Sequence, residues 1–381
     1  MHSLCFIYRF HLPYSIKKIS FFEFGEFPGL IDDRRSSENV SGYLNRLLIP
    51  CFEKLRKTDA DTGGKFHFAV DFSGMLLEMI QRYIPEKKEL IASWIREDSS
   101  DPVVSPWFHP VFNLKDPAEI IGQVLITQQR IHELSGRKCK FVFGPQLTLR
   151  GSLPEKLSRS GFEGIFINGS LINSTGRIAD SIYRTRSGYL NLMIPDYKSR
   201  TIFNRTTDSR KPLRRINLKS LIRKLSESVP NPMFVPIDLD FTSQPVENQI
   251  RKLDFINYFV MESLAAGNLS FRMPSEILRD KPEIAILPVT EESLTTIPGG
   301  PEHILVREAV RYLESLEADV KKTGNQLLLY LWRVLQSAEP LEKLLAATPE
   351  DKGSLHGIYL DFMNALSSLD IYTRKELEKI N

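Results

Sequence analysis

Short apolar runs alternate with amphipathic segments over the first two thirds of the chain. Leu4–Phe10 and Met233–Asp240 are two of seven runs rich in branched and aromatic residues, which is typical of buried strands. The other five are Phe66–Phe72, Val103–Phe108, Lys140–Gln146, Gly164–Ile167 and Leu190–Met193. Strands that alternate with helices indicate a parallel sheet with right-handed crossovers. Seven of them predict a barrel or a distorted barrel.

Apolar residues at helical spacing fill the gaps between these strands. The segment Ser41–Arg56 carries four of them on one face. Asp116-Pro117 has the cap-then-proline order of a helix start, and Ser135-Gly136 closes that helix. Further crossover helices are predicted at Gly74–Arg96, Leu153–Ser160, Leu213–Leu225 and Val246–Ala265.

The pattern changes after residue 266. Glu302–Leu316, Ala318–Ser337 and Ser354–Leu369 read as amphipathic helices with no strand between them. The predicted fold is therefore α/β, an incomplete (β/α)7 TIM-like barrel followed by a C-terminal helical bundle. We expect the barrel over residues 1–267, and a linker with the helical region packed on the barrel over residues 268–381.

Composition excludes several classes of protein. A net charge of +3 on 381 residues is too small to indicate nucleic-acid or membrane partners. The three cysteines are an odd number and do not suggest a disulfide framework. The N-terminus has no basic region or cleavage site of a signal peptide, so a cytoplasmic location is expected. No histidine pair has metal-ligand spacing, so neither a metal nor another cofactor is expected, and the oligomeric state stays open.

Side chains that could take part in catalysis lie at the ends of two predicted strands. The run that begins at Met233 ends with Asp238 and Asp240, whereas the run that begins at Lys140 ends with Gln146. A parallel barrel delivers such side chains into a pocket at its C-terminal face. Glycoside cleavage needs a carboxyl group on each side of the scissile bond. One of the two strand ends offers an amide where a carboxylate is needed.

Four scaffold motifs carry a family resemblance. They are His11-Leu12-Pro13-Tyr14 after the first strand, Tyr43–Leu48, Phe72–Glu78 and Phe362–Ser367 near the end of the chain. With them the chain resembles glycoside hydrolase family 57, an α-amylase-like family that cleaves or rearranges α-glucans with retention. The resemblance covers nearly the whole chain and implies the same incomplete barrel with a helical region behind it.

The site motifs of the family are altered. The resemblance puts Gln146 at the nucleophile position and Asp238 at the acid/base position, and it puts Ser105 where the family has a glutamate. His11 and His109 match family residues, and Asp240 replaces a glutamate. These three are expected to bind substrate.

Two tryptophans are candidates for stacking on a sugar. Trp107 follows the third strand and Trp332 lies in a C-terminal helix. Flat sugar faces pack well on aromatic rings, but such aromatics are at least as often core residues.

A neutral amide is a poor nucleophile and leaves an oxocarbenium-like transition state without a negative charge beside it. The leading hypothesis is therefore a catalytically impaired protein of glycogen or maltodextrin metabolism that keeps a groove for an α-glucan or oligosaccharide. One alternative is an active hydrolase in which Asp238 works with another carboxylate, such as Asp240 or Glu247. The other is a structural or interaction module that binds no carbohydrate.

Overall fold

The fold is that of a computed structural model, which describes residues 2–19, 29–110, 117–144, 152–167, 182–184, 188, 190–195, 201, 203, 218–227, 232–240, 245–280, 285–286, 304–337, 341 and 352–380. The side chains of residues 240, 285 and 352–355 are outside this description. Gln146, at the predicted nucleophile position, also lies outside the described residues.

One sheet contains all ten strands of the described residues. They are β1 (His2–His11), β2 (Phe68–Phe72), β3 (Ser100–Val104), β4 (Phe141–Phe143), β5 (Gly164–Phe166), β6 (Ile182–Arg184), β7 (Asn191–Met193), β8 (Met233–Asp240), β9 (Leu269–Phe271) and β10 (Ala285–Ile286). Their order is β10-β6-β7-β5-β4-β3-β2-β1-β8, and β9 pairs with the first residues of β1.

Among the described residues, one bridge closes the sheet into a barrel. All pairs are parallel except β6–β7. Just after β7, Pro195 forms a parallel bridge with Phe234 of β8. This bridge joins the two ends of the row β7-β5-β4-β3-β2-β1-β8. Those seven strands are the seven predicted from the sequence, and the α/β barrel class is confirmed.

Side chains of the barrel strands alternate between two cores. On β1, Cys5 and Ile7 pack inside the barrel with Phe141, Phe166 and Phe234. The intervening Leu4, Phe6, Tyr8 and Phe10 belong to the larger core between the sheet and the helices. This period of two is that of a strand buried on both faces. It places Arg9 and His11, the next two residues of the inward series, toward the barrel mouth.

Thirteen α-helices of the described residues surround and extend the barrel. They are α1 (Asp33–Tyr43), α2 (Ile49–Asp61), α3 (Gly74–Tyr83), α4 (Lys88–Ile95), α5 (Pro117–Ser135), α6 (Leu153–Arg159), α7 (Leu218–Glu227), α8 (Val246–Ala266), α9 (Pro274–Arg279), α10 (Ile304–Ser315), α11 (Glu317–Lys322), α12 (Gln326–Leu335) and α13 (Lys352–Ile380). None of the described helices is both long enough and apolar enough to cross a bilayer.

The C-terminal helices dock on the barrel through α5. Arg333 of α12 donates to both carboxylate oxygens of Glu119 at 2.7 and 3.0 Å. The side-chain amide of Gln123 donates to Gln336 at 2.7 Å. The predicted division at residue 267 stays a prediction, although β9 and β10 beyond it also join the sheet.

Two details of the strands differ from the sequence prediction. The third strand ends at Val104 rather than Phe108. Pro106 has no N–H to donate to a ladder, and the chain turns there instead. The strands β6, β9 and β10 were not predicted.

Candidate functional site

Strand register gathers three charged side chains at the barrel mouth. Arg9 on the central strand β1 is paired in register with Asp71 of β2 on one side and with Asp238 of β8 on the other. Side chains that are opposite one another in neighbouring strands point to the same face. Arg9 therefore projects into the barrel between two carboxylates.

Arg9 makes an ion pair with both of them. Its Nη1 lies 2.7 Å from Oδ1 of Asp238, and its Nε lies 3.4 Å from Oδ2 of Asp71. The side chains are 12% exposed for Arg9, 3% for Asp71 and 23% for Asp238. Asp238 is thus the more accessible of the two carboxylates, and Asp71 lies deeper.

Asp71 is held at the bottom of this cluster. Ser105, at a family glutamate position, donates from Oγ to Oδ1 of Asp71 at 3.0 Å. Burial raises the pKa of Asp71 to about 6, against the lowering effects of Arg9 and Ser105. Ser105 therefore acts as a hydrogen-bond donor to a buried carboxylate.

His109 completes the cluster from the turn after β3. Its backbone has φ of +51°, which is uncommon for a residue other than glycine. Its Nε2 lies 2.5 Å from Nη2 of Arg9, and its ring stacks on His11 with centroids 4.3 Å apart. Burial, followed by the nearby His11 and Arg9, lowers the pKa of His109 well below its usual value.

The tautomer of His109 follows from these contacts. A guanidinium only donates, so Nε2 of the neutral ring accepts and the proton resides on Nδ1. That Nδ1 is buried and has no hydrogen-bond partner among the described residues. It is therefore a donor whose hydrogen bond is not made by any described residue.

An aromatic ring supports the other side of Arg9. The Cζ atom of Arg9 lies 4.0 Å from the centroid of Phe143, a cation–π contact. Phe143 is the last residue of β4, the strand that leads toward Gln146. In the sequence, the predicted nucleophile position Gln146 follows this strand by three residues.

Other predicted site residues lie in different surroundings. The backbone of Asp240 pairs in register with His11. Trp107 is turned toward α3, where its Nε1 donates to Glu78 at 3.1 Å. Trp332 is fully buried and its Nε1 donates to the carbonyl of Leu313, which fits the core alternative. Glu247, a possible alternative base, is exposed and lies 3.5 Å from Arg46.

Sequence reasoning missed Arg9 and Asp71. Each sits inside a strand that is otherwise apolar. A lone charge at an inward position of such a strand costs free energy unless it is paired, which is the signal that could have identified both residues. Among the described residues, no group of three histidine, cysteine or acidic side chains is arranged to hold a metal ion.

A parallel barrel with titratable side chains gathered at the carboxyl ends of its strands has the architecture of a barrel enzyme. The chain belongs to glycosyl hydrolase family 57, whose sequence model matches residues 5–290. No curated protein sequence matches it at a significant level.

Solved structures of this architecture are similar over most of the chain. The branching enzyme from Pyrococcus horikoshii is 12% identical with a TM-score of 0.61, over 96% of this chain and 88% of that one. The α-amylase AmyC from Thermotoga maritima is 11% identical with a TM-score of 0.56, over 99% and 96%. The 4-alpha-glucanotransferase from Thermococcus litoralis is 17% identical with a TM-score of 0.55, over 94% of this chain and 54% of that one. The chain thus spans about half the length of that glucanotransferase.

Proposed function

We propose that this chain is a cytoplasmic, α-glucan-binding member of family 57 that does not cleave glucan by a retaining mechanism. The observation that supports this most directly is the 2.7 Å ion pair between Arg9 and Asp238. An acid/base residue must carry a proton at the moment it protonates the leaving oxygen. A guanidinium in direct contact favours the ionised carboxylate and opposes that step.

The nucleophile position supports the same conclusion independently. Gln146 stands where the resemblance implies a nucleophilic glutamate. An amide can neither form the glycosyl ester nor neutralise the developing positive charge. Ser105, at another family glutamate position, is engaged with Asp71. Three positions of the catalytic arrangement are therefore unsuited to cleavage.

Polar groups remain that suit a sugar. His109 offers a buried donor at Nδ1, and His11 stacks on it at the same strand ends. The similar structures include a branching enzyme and an α-amylase. An α-glucan end at the barrel mouth is the ligand that we infer from these groups and from family membership.

Calorimetry with maltoheptaose and an assay for new reducing ends test this proposal together. We expect binding with no cleavage, and His11→Ala should weaken binding about tenfold, the loss of one contact of about 1.4 kcal/mol. His356→Ala, at an exposed position of α13, is the matched control and should leave binding unchanged. Starch hydrolysis by the wild type that Asp238→Asn abolishes would support the active hydrolase instead. No binding at millimolar ligand would support the module without carbohydrate.

Revertants test the role of Arg9. Gln146→Glu restores a nucleophile but leaves Asp238 paired, so we expect little activity from it alone. The double variant Gln146→Glu/Arg9→Gln removes the guanidinium from Asp238 and should be at least about tenfold more active on starch, about 1.4 kcal/mol of barrier. Equal activities of the single and double variants would show that the ion pair does not limit catalysis.

A further inference from the structure

A groove lies outside the barrel between α3 and α5. It has a volume of about 530 Å³ and is bordered by residues 78–82 of α3, residues 126–133 of α5 and Trp107; we call it the α3–α5 groove. This volume is within the ~300–1,000 Å³ of small-molecule sites. Its residues are different from those that surround Arg9 and Asp238.

The Trp107 ring is fixed in this groove. Its atoms come so close to Gly74 that a Cβ there would lie 2.3 Å from the indole. Its Nε1 donates to one oxygen of Glu78, while the hydroxyl of Tyr330 donates to the other at 2.7 Å. The ring is half-buried and still lines the groove. An aromatic surface held in this way loses little conformational entropy when a ligand stacks on it.

Both arginines of the groove are paired with acidic side chains. Arg130 lies 3.2 Å from Glu133, and Arg82 lies 2.9 Å from Asp33. No surplus of positive charge is therefore offered to a phosphate or carboxylate. This balance favours a neutral ligand over an anionic one.

The remaining lining groups suit a polyhydroxylated ligand with an apolar face. Gln81 and Gln129 are exposed and carry amides, which both donate and accept hydrogen bonds. The amide nitrogen of Gln129 already donates to Glu133 at 2.9 Å, so Gln129 has its carbonyl oxygen and its second N–H to offer a ligand. Ile126 is 42% exposed on the same groove although it lies on a helix that packs on the barrel. Amides beside a fixed indole and an aliphatic side chain combine stacking with hydroxyl recognition.

We propose that the α3–α5 groove is a second carbohydrate site that binds a neutral oligosaccharide on Trp107, separately from the barrel mouth. The choice of a neutral saccharide rests on the groove alone. The choice of an α-glucan as the first ligand to be tested rests on the proposed function.

Tryptophan fluorescence can report this site selectively. The chain has three tryptophans, and Trp94 and Trp332 are buried, so Trp107 is the one that a quencher reaches. Maltoheptaose at millimolar concentration is expected to protect the fluorescence from acrylamide. Gln81→Ala/Gln129→Ala should weaken the protection about tenfold, the effect of one or two lost hydrogen bonds. Gln326→Ala, at an exposed position of α12, is the matched control and should not change it.

Two further experiments distinguish a separate site in the α3–α5 groove from binding at the barrel mouth. His11→Ala should leave the protection of Trp107 intact even where it weakens calorimetric binding. Protection that His11→Ala abolishes would mean that Trp107 reports the barrel mouth, and would overturn a separate site. No protection by maltoheptaose, cellopentaose or laminaripentaose would overturn it too, whatever calorimetry shows. Stronger protection by glucose 1-phosphate than by maltose would overturn the neutral class of ligand.

Discussion

Arg9 shows how one side chain can determine the chemistry of a pocket. It contacts both carboxylates, the ring of Phe143 and the imidazole of His109. A partly buried guanidinium with four such contacts is held in one position, and its two ion pairs favour the charged form of each carboxylate over the protonated one. These contacts support the proposal that the pocket holds charges in place rather than transferring a proton to a leaving group.

The buried Asp71 predicts a pH dependence of stability. Burial raises its pKa to about 6, whereas an unfolded aspartate titrates near pH ~4. Between these values the folded state binds more protons than the unfolded state, so this residue makes the free energy of unfolding fall as the pH rises from about 4 to about 6. Asp71→Asn should remove this fall, which amounts to at most about 3 kcal/mol. Urea unfolding at a series of pH values measures it.

Asp280 provides a control, because its effect on the pH dependence of stability has the opposite sign to that of Asp71. Its hydrogen bond with Arg272, and then the charge of Arg272, lower its pKa. The folded state therefore binds fewer protons here, and this residue contributes stability that is present at neutral pH and lost in acid. Asp280→Asn should reduce stability at neutral pH, whereas Asp71→Asn should not. If both variants lowered the free energy of unfolding at neutral pH, the raised pKa of Asp71 would be contradicted.

At the scale of elements, the start of α3 depends on the absence of a side chain at Gly74. Ser73 caps this helix by accepting from the N–H of Leu76, and Gly74 then leaves room for the Trp107 ring. Gly74→Ala forces the indole or the helix to move, which should lower the free energy of unfolding by about 1–3 kcal/mol. The same change should increase acrylamide quenching of Trp107. Chemical denaturation and fluorescence measure the two effects.

A second glycine makes the matched comparison. Gly122 lies within α5, and a Cβ added there would meet no atom within 4 Å. Gly122→Ala should therefore stabilise the protein by about 0.5–1 kcal/mol, the ordinary helix preference for alanine. Destabilisation by both variants would mean that Trp107 is not the cause at Gly74.

At the scale of the whole molecule, Glu119 couples the barrel to the C-terminal helices. It is buried in α5, receives two hydrogen bonds from Arg333 of α12, and lies 3.9 Å from Lys321 of α11. Arg333→Met leaves this carboxylate without its main partner, which should cost about 3–5 kcal/mol. We expect thermal unfolding by calorimetry to separate into two transitions, with the helical region melting first.

An exposed ion pair serves as the reference for that change. Arg374 pairs with Asp370 within α13 at a largely exposed position. Arg374→Met should change stability very little, as is usual for surface pairs. A single cooperative transition in Arg333→Met, shifted no further than in Arg374→Met, would show that other contacts hold the helices on the barrel.

The barrel was predictable because its strands are buried on both faces. Such strands appear as apolar runs of four to eight residues, which a sequence displays directly. The strands β6, β9 and β10 were not predictable, because they form by pairing with neighbours already in place: β6 with β7, β9 with β1 and β10 with β6. The burial of Trp332 could not be predicted from the sequence either, because it depends on how the helices pack around this side chain.

The sequence by itself determined the family and the barrel class, and it led to the prediction of an amide at the nucleophile position, because these depend on residue identities and local periods. Only the tertiary structure brought Arg9 between Asp71 and Asp238, and only it turned Trp107 toward α3. These placements depend on strand register and on packing between segments that are up to 229 residues apart in the chain. Local sequence does not encode such distances, whereas the closed barrel fixes them.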